Sequence, residues 1–323
     1  MHATRRAAML VRQVQRELVM PALAKEDRSP VTVADFTIQA LVTGLLEQAF
    51  PGDALVGEEN ADALRQPDGS EMLAQVTAYV RQELPGATPE QVCDWIDRGQ
   101  SQPGKRYWVL DPVDGTKGFL RGGQYAVALA LLEGHQVKLG LLGCPNLADG
   151  WRESYDGPGT LAVAQRGHGT WISGLGDGTP AAAKSFLQVR VSPQTDPQLA
   201  RLLRSYEASH TNTGILDRLA EKLNITAPAL RLDSQAKYSI LAAGHSEAIL
   251  RVPPDDQPGY REKIWDIAAG ALVVEEAGGQ TSDLDGKQLD FSAGRQLSHN
   301  RGILVTNGKL HSAFIVALGK LQG

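Results

Sequence analysis

Two carboxylates stand close together in Asp111-Pro112-Val113-Asp114, followed at once by Gly115 and Thr116. The apolar run from Tyr107 to Leu110 leads into them, so they sit where a buried strand ends. Pro112 fixes the backbone at the turn, and Gly115 frees it to bend. Carboxylates this near repel each other unless a positive group lies between them. A hard dication such as Mg²⁺ suits the spacing, because it takes oxygen ligands and joins carboxylates to phosphate oxygens. The Val113 carbonyl points into the same turn and offers one more oxygen. An Asp-Pro and Asp-Gly turn that merely closes a strand fits the same letters.

Three further acidic signals lie along the chain. Gly57-Glu58-Glu59 follows a short apolar run; alone it reads first as a solvated acidic loop. Trp265-Asp266-Ile267-Ala268-Ala269-Gly270 opens a helical pattern, where Asp266 could simply be a cap. Asp35 follows Ser29-Pro30-Val31-Thr32-Val33-Ala34, again in a position open to a cap or first-turn acid. Four independent bland readings are a poorer account than one shared site.

The elements that must carry these residues can be read from periodicity. Met9, Val11, Val14, Leu18 and Val19 recur with helical spacing, which predicts a first helix rather than a basic targeting peptide. A second helix is predicted over 34–49, ending before Phe50-Pro51-Gly52, and a strand over 54–56. The polar stretch 61–105 reads as a partly helical insertion that decorates the core. Strands are expected at 107–110, 125–132 and 136–142, the last two joined through Glu133-Gly134-His135. Short strands follow near Leu161 and Thr170. The run 174–184, rich in Gly, Pro and Ala, is the expected boundary, dividing the chain into 1–183 and 184–323. Beyond it, strands at 187–191, 248–252 and 303–306 alternate with helical patterns at 199–206, 214–223, 264–277 and from Lys309. Alternation of this kind predicts a layered α/β fold.

Bulk composition narrows the function classes. The chain has 323 residues, 42% hydrophobic and 21% charged, an ordinary globular balance. A net charge of −5 without a basic stripe argues against a nucleic-acid partner. No apolar run reaches spanning length, so no membrane partner is expected. Cys93 and Cys144 are sparse and lack metal-site spacing, which fits reduced thiols in a cytoplasmic protein.

Taken in order, Asp35, Gly57-Glu58-Glu59, Asp111-Pro-Val-Asp114-Gly-Thr116 and Trp265-Asp266-Ile-Ala-Ala-Gly270 resemble the inositol monophosphatase superfamily of lithium-sensitive, magnesium-dependent phosphatases. Within it the chain looks most like the 3′(2′),5′-bisphosphate nucleotidases of sulfur metabolism. That likeness rests on Asp114-Gly-Thr-Lys117-Gly-Phe-Leu-Arg121-Gly, Leu142-Gly-Cys144-Pro-Asn146-Leu and Asp233-Ser234-Gln-Ala-Lys237-Tyr238, and on the long link from Glu58 to Asp111. Two departures stand out. Asn60 replaces a usual Ser or Thr, and Ile267 stands where close relatives often have His.

The resemblance implies an α+β layered sandwich of alternating αβαβα layers in two subdomains, with the active site between them. It implies that Glu58, Asp111, the Val113 carbonyl, Asp114 and Asp266 hold two or three Mg²⁺ ions. Asp35 and Thr116 would be the catalytic proton relay, and the Gly115 and Thr116 amides would meet phosphate oxygens. His210, Ser234, Lys237 and Arg251, with Asp266, would hold a small bisphosphorylated nucleotide, 3′-phosphoadenosine 5′-phosphate or its sulfated relative. Lys117 and Arg121 are basic beside the metals, where a surface role fits as well. Two alternatives remain open: an inositol monophosphatase or inositol polyphosphate 1-phosphatase using the same ions, and a non-catalytic nucleotide sensor. The oligomeric state cannot be read from the letters.

Overall fold

A computed structural model describes residues 1–19, 29–176, 186–206, 213–254, 257 and 259–322. Helix α1 (His2–Val14), continued by a π turn at Gln15–Val19, and helix α2 (Ser29–Ala49) cover one face of the larger sheet. Asp35 lies in the second turn of α2, past any capping position. Strand β1 (Ala54–Gly57) follows. The polar stretch after it folds into α3 (Ser70–Glu83) and α4 (Pro89–Asp97). These helices do more than decorate: Val76, Val80, Val92 and Ile96 are fully buried in one cluster with α1 and α2. Their apolar faces are short and diluted by Gln and Glu, which hid the burial in the composition.

Strand β2 (Arg106–Asp114) runs through both carboxylates rather than stopping before them. It pairs in parallel with β1, Gly57 opposite Leu110, and antiparallel with β3 (Ala126–Glu133). The β2–β3 register shifts between Asp111 and Asp114. A bulge of this kind bends the strand and re-aims its side chains. A five-residue helix, α5 (Thr116–Leu120), lies between β2 and β3. Strand β4 (Gln136–Cys144) returns from β3 through Gly134 and His135, both at positive φ, 55° and 64°, as a two-residue turn requires.

A small ladder, β5 (Leu147–Ala148) with β6 (Arg152–Glu153), precedes β7 (Thr160–Gln165), β8 (Gly169–Ser173) and β9 (Leu187–Val189). The large sheet has the order β1-β2-β3-β4-β7-β8-β9. Residues 177–185, most of the expected boundary run, lie outside the described residues. Strand β9, beyond that run, completes the first sheet by pairing with β8.

The helical pattern expected at 199–206 is corrected by the structure. A 3-10 turn at Pro197–Leu199 leads instead into strand β10 (Leu202–Arg204). Leu202 and Leu203 are buried on opposite sides, in different core clusters, which a strand satisfies and a helix does not. Helix α6 (Thr213–Lys222), strand β11 (Leu230–Arg231), helix α7 (Ala236–Ala242), strand β12 (Ala248–Arg251), helix α8 (Ala268–Glu276), strands β13 (Gln280–Ser282) and β14 (Ile303–Thr306), and helix α9 (His311–Gln322) complete the chain. The second sheet has the order β11-β10-β12-β14-β13.

Alternation along the strands sorts the core into layers. Leu110, Val127, Leu129 and Leu141 face α1 and α2, while Tyr107, Val109, Ala128 and Leu142 face α7 and α8. Ile249, Ile303 and Val305 close the same middle layer from the second sheet, and Leu250 and Leu304 face α6 and α9 beyond it. The architecture is therefore helix, sheet, helix, sheet, helix, as the motifs implied. Among the described residues no helix is long and apolar enough to cross a membrane.

Candidate active site

One cleft of ≈ 460 Å³ gathers Glu58, Asp111, Val113, Asp114, Gly115, Thr116, Ser234, Lys237, Arg251 and Asp266. Its volume is that of a small-molecule site. Lys117, Ser205, Asp233, Tyr260, Lys263 and Trp265 also line it. The strand ends deliver the parts: β1 hands the chain to Glu58, the bulge at the end of β2 presents Asp111 and Asp114, and β12 ends on Arg251. Asp266 sits in the turn before α8, whose N-cap is Ile267 without a side-chain bond. Asp266 is thus no helix cap; its carboxylate faces Arg251 at 3.7 Å.

Close approach dictates two glycines of the motifs. Gly115 stands at φ 91°, and a Cβ there would lie 2.7 Å from the Ser234 Cβ. The turn carrying Ser234, which leads into α7 and Lys237, is thereby pressed against the Asp114-Gly115-Thr116 turn. A Cβ on Gly270 would fall 2.5 Å from the Tyr238 ring, so this glycine lets α8 pack on α7. Ile267, the other departure besides Asn60, is fully buried in the middle layer and does not line the cleft.

Crowded acids dominate the electrostatics. Burial raises Asp111 well above the usual carboxylate range, and Asp114, Glu58, Asp266 and Asp35 add to it. Burial pushes Asp266 up to about 8, against the pull of Arg251. Asp114 is raised by burial and eased by Arg251 and by the Gln235 amide that donates to its Oδ2. Glu58 keeps solvent-facing surface at the rim, yet desolvation, Glu59 and Asp114 raise it too. All four gain from a cation.

The donors fit a hard dication: they are carboxylate oxygens, and Asp111 Oδ1 is buried without a hydrogen-bond partner. The cage is not closed, however. Among the described residues no three His, Cys, Asp or Glu side chains converge on one point. Asp114 Oδ2 accepts from the Gln235 amide and Asp266 Oδ2 lies 3.7 Å from Arg251, so each carboxylate already has one oxygen directed at a protein partner.

Asp35 does not line the cleft. It is 8% exposed behind Asp111, raised by burial and by Glu59 and Glu58. The Thr116 hydroxyl, on the exposed first residue of α5, is turned to the Val113 carbonyl at 3.5 Å rather than to Asp35.

Across the cleft, Lys237 is 5% exposed, and its Nζ donates to Ser205 Oγ at 2.7 Å. Burial first, and then Arg251, push its amine down to about 8. Arg251 is more fully engaged, 2.7 Å from the buried Glu262 besides Asp266. Arg121 pairs with Asp233 and lies 5.6 Å over the Tyr206 ring. His210 lies outside the described residues.

Sequence reasoning overlooked Glu262, Gln235 and Ser205. Glu262 carried a signal, being a lone acid just before Trp265-Asp266. Gln235 carried little, since its backbone amide does part of the work; its side chain also joins the Trp265 carbonyl to the Gly270 amide.

Comparison with known proteins follows the same lines. The profile of the inositol monophosphatase family matches residues 2–322. An Oryza sativa protein named 3′(2′),5′-bisphosphate nucleotidase is 41% identical, over 97% of this chain and 90% of its own. A protein of that name from Emericella nidulans is 40% identical over 99% of this chain and 96% of its own. Among solved structures, an IMPase of Thermotoga maritima has a TM-score of 0.62 at 19% identity, covering 97% of this chain and 95% of its own. Mycobacterium tuberculosis SuhB has a TM-score of 0.63 at 20% identity, covering 99% and 94%.

Proposed function

Because the chain belongs to the inositol monophosphatase family, a family of metal-dependent phosphatases, we propose that it is a 3′(2′),5′-bisphosphate nucleotidase. The reaction is hydrolysis of the 3′-phosphate of 3′-phosphoadenosine 5′-phosphate, or of its 5′-sulfated relative, with water entering and inorganic phosphate leaving. The observation that carries this reading is a pairing in one cleft: four carboxylates on one side and the buried Lys237 ammonium on the other.

We assign Glu58, Asp111, the Val113 carbonyl, Asp114 and Asp266 to hold two or three Mg²⁺ ions. When bound, the metal supplies charge neutralisation at the phosphate oxygens and an acidified water. The chain's own residues do the remainder. Thr116 would orient the water through its hydroxyl once it turns from the Val113 carbonyl. Asp35, held above the usual carboxylate range by burial and by Glu59 and Glu58, is assigned to take the proton through that hydroxyl. Gly115 and Thr116 present amides at the start of α5, where phosphate oxygens can accept.

The second phosphate needs positive charge away from the metals. Lys237 is the better candidate, because among the described residues a single hydroxyl engages its amine, whereas Arg251 already balances Glu262 and Asp266. Ser234 would add a hydroxyl donor, and His210 remains assigned to the base. In this division of labour, 1–183 brings most carboxylates, and 184–323 brings the nucleotide side and Asp266. The test is phosphate release, with Mg²⁺, from 3′-phosphoadenosine 5′-phosphate, 3′-AMP and inositol monophosphate. The bisphosphate should be cut far faster than the others; preference for inositol monophosphate would overturn the nucleotidase reading and leave a phosphatase.

A further inference from the structure

The arms carrying Glu58 and Asp266 come from opposite ends of the chain, and one side chain outside the cleft lining ties them. Arg295 lies in the loop between β13 and β14. Its guanidinium carbon sits 4.9 Å from the centroid of the Trp265 ring, the residue before Asp266. Its Nη1 donates to the Gly99 carbonyl at 2.9 Å, and its Nη2 donates to the Gly57 carbonyl, the residue before Glu58. The Gly57 amide donates to the same Gly99 carbonyl at 2.8 Å, closing a knot beneath the acidic rim.

The backbone on the Arg295 side is equally fixed. Ile264 N donates to the Arg295 carbonyl at 3.2 Å, Leu297 N donates to the Glu262 carbonyl at 2.9 Å, and Lys263 bridges Gln296. The loop thus runs antiparallel beside the segment that leads into Asp266, and from it the Arg295 side chain reaches onward to the Glu58 arm.

The choice of partners is informative. Among the described residues no carboxylate forms an ion pair with Arg295, although four crowd the neighbouring cleft. A planar guanidinium that spends its donors on two carbonyls and its face on an indole acts as a geometric clamp. From this arrangement we infer that Arg295 is a positioning residue, setting the spacing between the Glu58 and Asp266 arms that divalent-ion binding requires. The inference rests on the ligand roles proposed above.

Side chains that orient ligands without touching the ion typically cost ten- to a hundredfold in metal affinity when removed. The test is calorimetric titration of Mn²⁺, a hard divalent probe, into metal-stripped full-length protein without substrate. Arg295→Ala should bind Mn²⁺ about tenfold or more weakly, and Arg295→Lys, which keeps the charge but loses the fork, should recover only part. Arg201→Ala, which breaks the pair with the buried Glu247 just ahead of β10, is the control: it should lower the melting temperature and leave Mn²⁺ affinity unchanged. If Arg295→Ala does not fold, Arg295→Lys gives the same reading. Wild-type affinity in the folded Arg295 variant, with loss in Glu58→Gln, overturns the clamp alone. Wild-type affinity in Glu58→Gln overturns the ligand assignment instead.

Discussion

Replacing Lys237 by Met removes one ammonium from the cleft wall while keeping the length of the side chain. The magnitude follows from its surroundings. Burial brings the amine from 10.5 to about 8, a penalty on the charged form of about 3 kcal/mol at ~1.4 kcal/mol per pH unit. An apolar chain of similar volume relieves that penalty, so the melting temperature of Lys237→Met should hold or rise. The sign of the linkage is definite. The unfolded lysine keeps its proton up to about 10.5 and the folded one loses it near 8, so wild-type stability should rise between those values. The variant should lack that rise.

Catalysis should move the other way. A charge-assisted hydrogen bond to the second phosphate contributes about 1.5–3 kcal/mol, roughly ten- to a hundredfold in KM. That loss should appear with 3′-phosphoadenosine 5′-phosphate and be absent with 3′-AMP, which has no second phosphate. In the wild type the ratio of kcat/KM for the two substrates should fall above pH 8, as the amine loses its proton; in the variant it should be flat. Initial rates of phosphate release from both substrates across pH read all of this. An equal loss on both, accompanied by a fall in melting temperature, would refute the reasoning and make Lys237 structural.

Other outcomes follow from the same geometry. Protons compete with metal for acids such as Asp266, held near 8, so the Mg²⁺ concentration for half-maximal activity should rise as pH falls from 8.5 to 6.5; a pH-independent requirement contradicts this. Asp35→Asn should lower turnover by roughly 10²-fold with Mn²⁺ binding retained, the scale of a lost general base. Thr116→Val should lose activity that Thr116→Ser partly keeps, and equal rates would remove the hydroxyl from the relay. Gly270→Ala, whose methyl would meet the Tyr238 ring, should cost about 1–3 kcal/mol in thermal unfolding.

What the letters disclosed and what they hid divide along physical lines. The elements were legible because strand alternation and helical spacing are local, as in β3, β4 and α2, whereas the order of the layers came only with the family resemblance. The strand at Leu202–Arg204 was not, since a short apolar run between two core clusters has no period of its own to display. The acidic residues of the cleft were legible because charge is costly in a buried turn. Their present partners were not: the Gln235 amide on Asp114 and the Arg251 and Glu262 pair depend on loops brought together only by the fold. The bulge that spreads Asp111 from Asp114 likewise exists only against β3.

The most direct measurement is anomalous diffraction from crystals soaked with Mn²⁺ and AMP, the expected product. Manganese peaks should lie at coordination distance from the carboxylates of Glu58, Asp111, Asp114 and Asp266, with the AMP phosphate beside Lys237. Peaks elsewhere, or none among these four side chains, would contradict a phosphatase working through this cleft.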